Sequence, residues 1–131
     1  MAKPGLILFG HGARDPRWAE PMERLQTRLA AAIPDIPVEL AFLELLEPSL
    51  PSAATQLLAA GCDRLVIVPI FLGQGGHVRR DLAALAQSVR EAHPGIDVRC
   101  ARAVGEDDAV LDALAAYCLE TLDPGFARPG E

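Results

Sequence analysis

The chain of 131 residues is 50% hydrophobic and carries a formal net charge of -6. That is enough apolar material for the core of one domain, and the wrong sign for broad nucleic-acid binding or an anionic membrane surface. No apolar stretch approaches the ~20 residues of a membrane-spanning helix. The start, MAKPGLILFGHG, holds an apolar run too short for a signal sequence, so the expected location is cytoplasmic. Cys62, Cys100 and Cys118 are odd in number and widely spaced. They fit neither a disulfide framework nor a zinc spacing, and are expected to be buried free thiols.

Residues 6–9 (LILF) form a short apolar run, read as a first strand, and end in Gly10-His11-Gly12. Asp15-Pro16 then supplies an N-cap and a first-turn proline. Trp18, Met22, Leu25, Leu29 and Ile33 follow at helical spacing and are expected on one inward face, with Pro21 disturbing the first turn. Residues 38–43 read as a second strand, followed at once by Glu44. Pro51, the apolar pair Leu57-Leu58 and the stop at Gly61 mark a second helix.

Residues 65–72 are apolar without interruption, which predicts a strand buried on both faces, as in a parallel sheet. The run breaks at Gly73-Gln74-Gly75-Gly76 and delivers His77. Val78, Leu82, Leu85 and Val89 give a third helix its inner face, and His93-Pro94-Gly95 ends it. Residues 96–102 alternate apolar and polar, the pattern of an edge strand. A last helix is expected over 107–122 with Val110, Leu111, Leu114 and Cys118 inward, and residues 123–131 as a flexible tail. Four strand–helix repeats demand a parallel sheet with helices on both faces, in one α/β domain over 1–122.

His11, Glu44 and His77 each follow a predicted strand, and so fall at the carboxyl edge of the sheet, where open α/β folds bind ligands. Two imidazoles and a carboxylate suit a divalent transition metal such as cobalt, iron, nickel or zinc, and can also accept protons. Arg14, Arg79 and Arg80 either face solvent or hold the carboxylates of an anionic ligand. The glycine run lacks the Walker lysine and serine or threonine, and is a weak phosphate signal.

The segments LILFGHGARDP, VELAFLELLEPSL and above all VPIFLGQGGHVRRDL resemble the small sirohydrochlorin chelatases, the sirohydrochlorin cobaltochelatase family. The likeness runs from about residue 6 to residue 119. It implies a class II chelatase fold, a single flavodoxin-like doubly wound domain with a four-stranded parallel sheet. It implies insertion of a divalent metal, Co2+ or otherwise Fe2+ or Ni2+, into sirohydrochlorin, for cobalamin or sirohaem, without ATP. His11 and His77 match the family's two histidines, which serve the metal and the protons, and Glu44 matches its acidic residue. Arg14, Gly75, Gly76, Arg79 and Arg80 are the expected substrate-binding positions. No cofactor is permanently held, because the metal is a substrate. Larger members carry two such domains around a cleft, so a single one implies a homodimer. Three other readings are a carrier of tetrapyrrole or metal without turnover, a phosphoryl-transfer enzyme using His11, and a flavin-binding flavodoxin-type domain. The second lacks the arginine such enzymes place before the histidine; Gly10 stands there.

Overall fold

In a computed structural model, residues 2–126 are described. Four strands, β1 (Pro4–Gly10), β2 (Val38–Phe42), β3 (Arg64–Pro69) and β4 (Asp97–Cys100), form one parallel sheet in the order β2-β1-β3-β4. Between and after them come α1 (Glu20–Ala32), α2 (Leu50–Ala59), α3 (Gly76–Ala92) and α4 (Asp108–Glu120). This is the α/β architecture expected. Among the described residues no helix is long and apolar enough to cross a membrane.

Strand alternation divides the core in two. Ile7, Phe9, Ala41, Leu65, Ile67 and Val98 point to one face, where α2 brings Leu50, Ala53 and Leu57 and α3 brings Leu82, Ala86 and Val89. Leu8 and Phe42 point to the other, where α1 brings Met22, with Leu25 and Leu29 packed alongside. Each fully buried leucine, isoleucine or phenylalanine contributes ~1.5–3 kcal/mol. The chain steps from β1 outward to β2 through α1, then returns past β1 to β3 through α2. Right-handed crossovers therefore put these two helices on opposite faces. The direction reverses between β1 and β3, so the crevice at their carboxyl ends is the topological switch point.

Several elements depart from expectation. The third strand stops at Pro69 rather than at residue 72. Ile70 still donates its N–H to the Phe9 carbonyl at 2.8 Å, but β1 ends at Gly10 and offers no ladder beyond it. Asp15 caps a separate 3-10 helix, Pro16–Ala19, through the Arg17 N–H, and Arg17 beside it holds its carboxyl below the usual carboxylate value. The tighter winding of that turn takes Trp18 out of the α1 stripe, leaving it 73% exposed. Only Cys62 is buried, and burial raises its thiol pKa; Cys100 and Cys118 are exposed.

The largest departure is α4. None of its residues is buried, including the expected inward set of Val110, Leu111, Leu114 and Cys118. Beyond it, Asp123 accepts from the N–H groups of Gly125 and Phe126 in a turn, and the Phe126 ring lies 6.1 Å from that of Tyr117. The rest of the expected flexible tail, 127–131, lies outside the described residues.

Candidate active site

The site is built where β1 and β2 end. Gly12 has φ +96°, and a Cβ there would run into the backbone carbonyl of Glu44. This residue is both left-handed and in backbone contact, two conditions only glycine meets without strain. The two loops are stitched by N–H groups of Leu43 and Glu44 donating to the carbonyls of Gly10 (3.0 Å) and His11 (3.2 Å). As a result His11 Nε2 lies 3.5 Å from Glu44 Oε1, with the two side chains 52% and 56% exposed. An ion pair this exposed contributes only ~0–1 kcal/mol to folding. Its value at the rim is chemical: an imidazole and a carboxylate aimed at the same water-accessible point can share a cation or pass on a proton.

Behind His11 stands an aromatic support. Its ring meets Phe71 edge-on at 6.5 Å between centroids, and Phe71 in turn meets buried Phe9 at 6.0 Å. A pocket of about 460 Å³ opens beside the imidazole, lined by Gly10, Trp18, Met22, Phe42 and Phe71 among others. Its wall is largely apolar, with exposed Trp18 at the edge. Trp18 is the functional candidate that sequence reasoning missed, because helical spacing assigned it to the core. The available signal was its position just after the first strand's loop.

His77 is placed differently. It is the second residue of α3, and its Nδ1 lies 3.5 Å from Arg80 Nη2 rather than near Glu44. Among the described residues no three side chains of histidine, cysteine, aspartate or glutamate come together as a metal-holding group. The structure thus joins His11 to Glu44 and leaves His77 with Arg80, past the loop that follows β3. Arg79 reaches Glu106 at 3.6 Å, and Arg14 is exposed in the loop after His11.

Gly75 and Gly76 open α3 with no side-chain cap, whereas Ser49 and Asp107 cap α2 and α4. A Cβ on Gly75 would meet nothing within 4 Å, so the first turn of α3 faces open space. Its N–H groups and the helix dipole favour negative charge there.

Gly12→Ala tests the link between backbone and site. The left-handed φ and the collision with Glu44 must push the loops apart, so we expect a loss of ~1–3 kcal/mol and a weaker affinity for divalent metal. Denaturant melts and a metal titration measure both. Unchanged metal affinity would show that the contact between the two loops does not set the His11–Glu44 geometry.

A family model described as CbiX matches residues 5–121. The sirohydrochlorin cobaltochelatase of Saccharolobus solfataricus is 29% identical over 128 residues, 93% of this chain and 98% of its own length. Among solved structures, one described as a cobalamin (vitamin B12) biosynthesis CbiX protein from Marinobacter aquaeolei superposes with TM-score 0.81 at 30% identity, covering 92% of this chain and 98% of that one. The sirohydrochlorin chelatase SirB of Bacillus subtilis subspecies spizizenii, in complex with cobalt, gives TM-score 0.72 at 23% identity and shares the fold; the match covers 90% of this chain but 50% of SirB. With the sheet, the switch-point crevice and a family match over nearly its whole length, this chain belongs to the CbiX family.

Proposed function

We propose that this protein inserts a divalent metal ion, Co2+ first and Fe2+ or Ni2+ otherwise, into sirohydrochlorin without ATP. The observation that carries this reading is the His11–Glu44 pair at the open switch point, beside a largely apolar pocket. The relatives' chelatase activity supports it.

A metal enters a tetrapyrrole only after pyrrole N–H protons leave. The rim pair supplies what that step needs: His11 and Glu44 grip the incoming cation or accept the departing protons. His77, at the start of α3, adds a second imidazole for metal or proton. The apolar pocket wall and Trp18 take a face of the macrocycle. Arg14, Arg79 and Arg80, with the uncapped N–H groups beginning at Gly76, hold its peripheral carboxylates. The glycine loop lacks a Walker lysine, in keeping with a reaction that uses no nucleotide. Two copies of the chain enclose the substrate, since a single domain leaves this rim open to solvent.

Purified protein, sirohydrochlorin and Co2+ are mixed without nucleotide, and the absorption change is followed against a protein-free blank. Acceleration at low metal is expected. Binding of both ligands with no acceleration would make the protein a carrier, and absence of binding would remove the reading altogether.

A further inference from the structure

The loop after β4 brings no imidazole to the rim, and its Glu106 is taken by Arg79. Yet it is built against the wall behind His11. The sheet holds the chain leaving β3 only as far as Ile70, whose N–H meets the Phe9 carbonyl; β1 then ends at Gly10. Phe71 and Leu72 are held from the other side. In the turn Val104–Glu106 the Gly105 N–H donates to the Phe71 carbonyl at 2.9 Å. Gly105 also lies against the next residue, so closely that an added Cβ would enter the backbone of Leu72. Among the described residues only Gly12, against Glu44, meets another loop's backbone in this way. Gly12 needs its left-handed φ as well, whereas Gly105 has no positive φ. At Gly105 the contact alone excludes a side chain. The turn is itself fixed, because Ala103 before it is fully buried and accepts from the Glu106 N–H at 2.9 Å.

We propose that Gly105 is a positioning residue for His11, acting through Leu72 and Phe71. This rests on the reading of His11 and Glu44 as the pair that holds the metal. The route is short. The Phe71 ring meets the His11 ring edge-on, and buried Phe9 stands behind Phe71 and stops it from moving inward. A packed interior passes a displacement on rather than absorbing it. A methyl group at position 105 therefore moves the 71–72 backbone, the Phe71 ring and with it the imidazole. His11 is about half exposed, so the ring behind it is what fixes its orientation. Its Nε2 lies 3.5 Å from Glu44 Oε1, and a shift of the ring separates two groups that must meet one cation. The same turn reaches α3 through Glu106 and Arg79, 3.6 Å apart and two residues beyond His77. The fourth loop thus braces the rim from behind.

Calorimetric titration of the full chain with Co2+, in the absence of tetrapyrrole, tests this on Gly105→Ala, Phe71→Leu and the double variant, beside insertion rates and thermal melts. Gly105→Ala is expected to keep the wild-type circular dichroism spectrum and to bind Co2+ about 10-fold more weakly. Per folded molecule it should insert the metal about 10-fold more slowly. With Phe71→Leu in place the ring that carries the push is gone, so adding Gly105→Ala should weaken binding no more than about twofold further. A merely structural role would lower the thermal midpoint, leave Co2+ affinity per folded molecule alone and add to Phe71→Leu in full. Wild-type Co2+ affinity in Gly105→Ala, or full additivity with Phe71→Leu, overturns the proposal. Ala103→Gly loosens the same turn without crowding it, and keeps the test readable if Gly105→Ala does not fold. Binding about threefold weaker is expected there, and unchanged binding sinks the brace. A wild type that binds Co2+ without accelerating insertion removes the chelatase reading, and the affinities alone then decide the brace. A wild type that binds no Co2+ overturns both.

Discussion

Replacing His11 by alanine is expected to lower the rate of metal insertion into sirohydrochlorin by about 10²-fold or more, with little change in stability. The rate effect follows from what the imidazole does. In the proposed reaction it holds the cation with Glu44 or takes a pyrrole proton, and a positioned acid–base group is worth ~10²–10⁴ in rate. The small stability effect follows from exposure, because His11 is about half in solvent and its contact with Glu44 is screened. Glu44→Gln keeps the shape of the carboxylate and removes its charge. It should therefore raise the metal concentration needed for half-maximal rate while leaving the thermal midpoint nearly unchanged, since the pair is half exposed. His77→Ala is also expected to slow insertion, since its imidazole lies at the mouth of α3. Initial rates across a metal series, with melts of each variant, measure all of this. A His11→Ala protein with wild-type rate would remove the pair from the chemistry.

Phe9→Ala costs ~3–5 kcal/mol of stability. Phe9 is 0% exposed, lies on the central strand β1 and faces the cluster that α2 and α3 close. Truncation leaves a cavity bounded by two helices and two flanking strands that cannot all collapse inward. For a chain of this size the thermal midpoint should drop by ~10 °C or more. The same ring supports Phe71, and Phe71 supports His11. Phe9→Leu fills most of the volume and costs ~1–1.5 kcal/mol. It removes the edge-on ring contact, so insertion should slow while the fold persists. Calorimetry and the rate assay on the two variants separate packing from positioning. An alanine variant within ~1 kcal/mol of wild type would contradict the burial argument.

Much of this protein was determined by local pattern. The unbroken apolar run over 65–72, which the strand follows only as far as Pro69, the short run before Gly10 and the alternation around Val98 identified three strands, because buried and edge strands differ in which side chains meet water. Asp15, Ser49 and Asp107 cap the turns they precede, since a side-chain oxygen satisfies the first free N–H wherever it occurs. His11 and Glu44 were legible as candidates because both sit directly behind strands.

Other features were decided by tertiary structure. Strand order made β1 central and brought Glu44 beside His11, and no local rule sets which strands are neighbours. His77 lies eight residues beyond the end of β3, and that length of chain had room to carry it onto a helix and toward Arg80, away from the pair. Trp18 and α4 mislead in the same way. Apolar periodicity records that a side chain needs cover, but the chain alone does not say whether the cover is its own core, a macrocycle or a second copy.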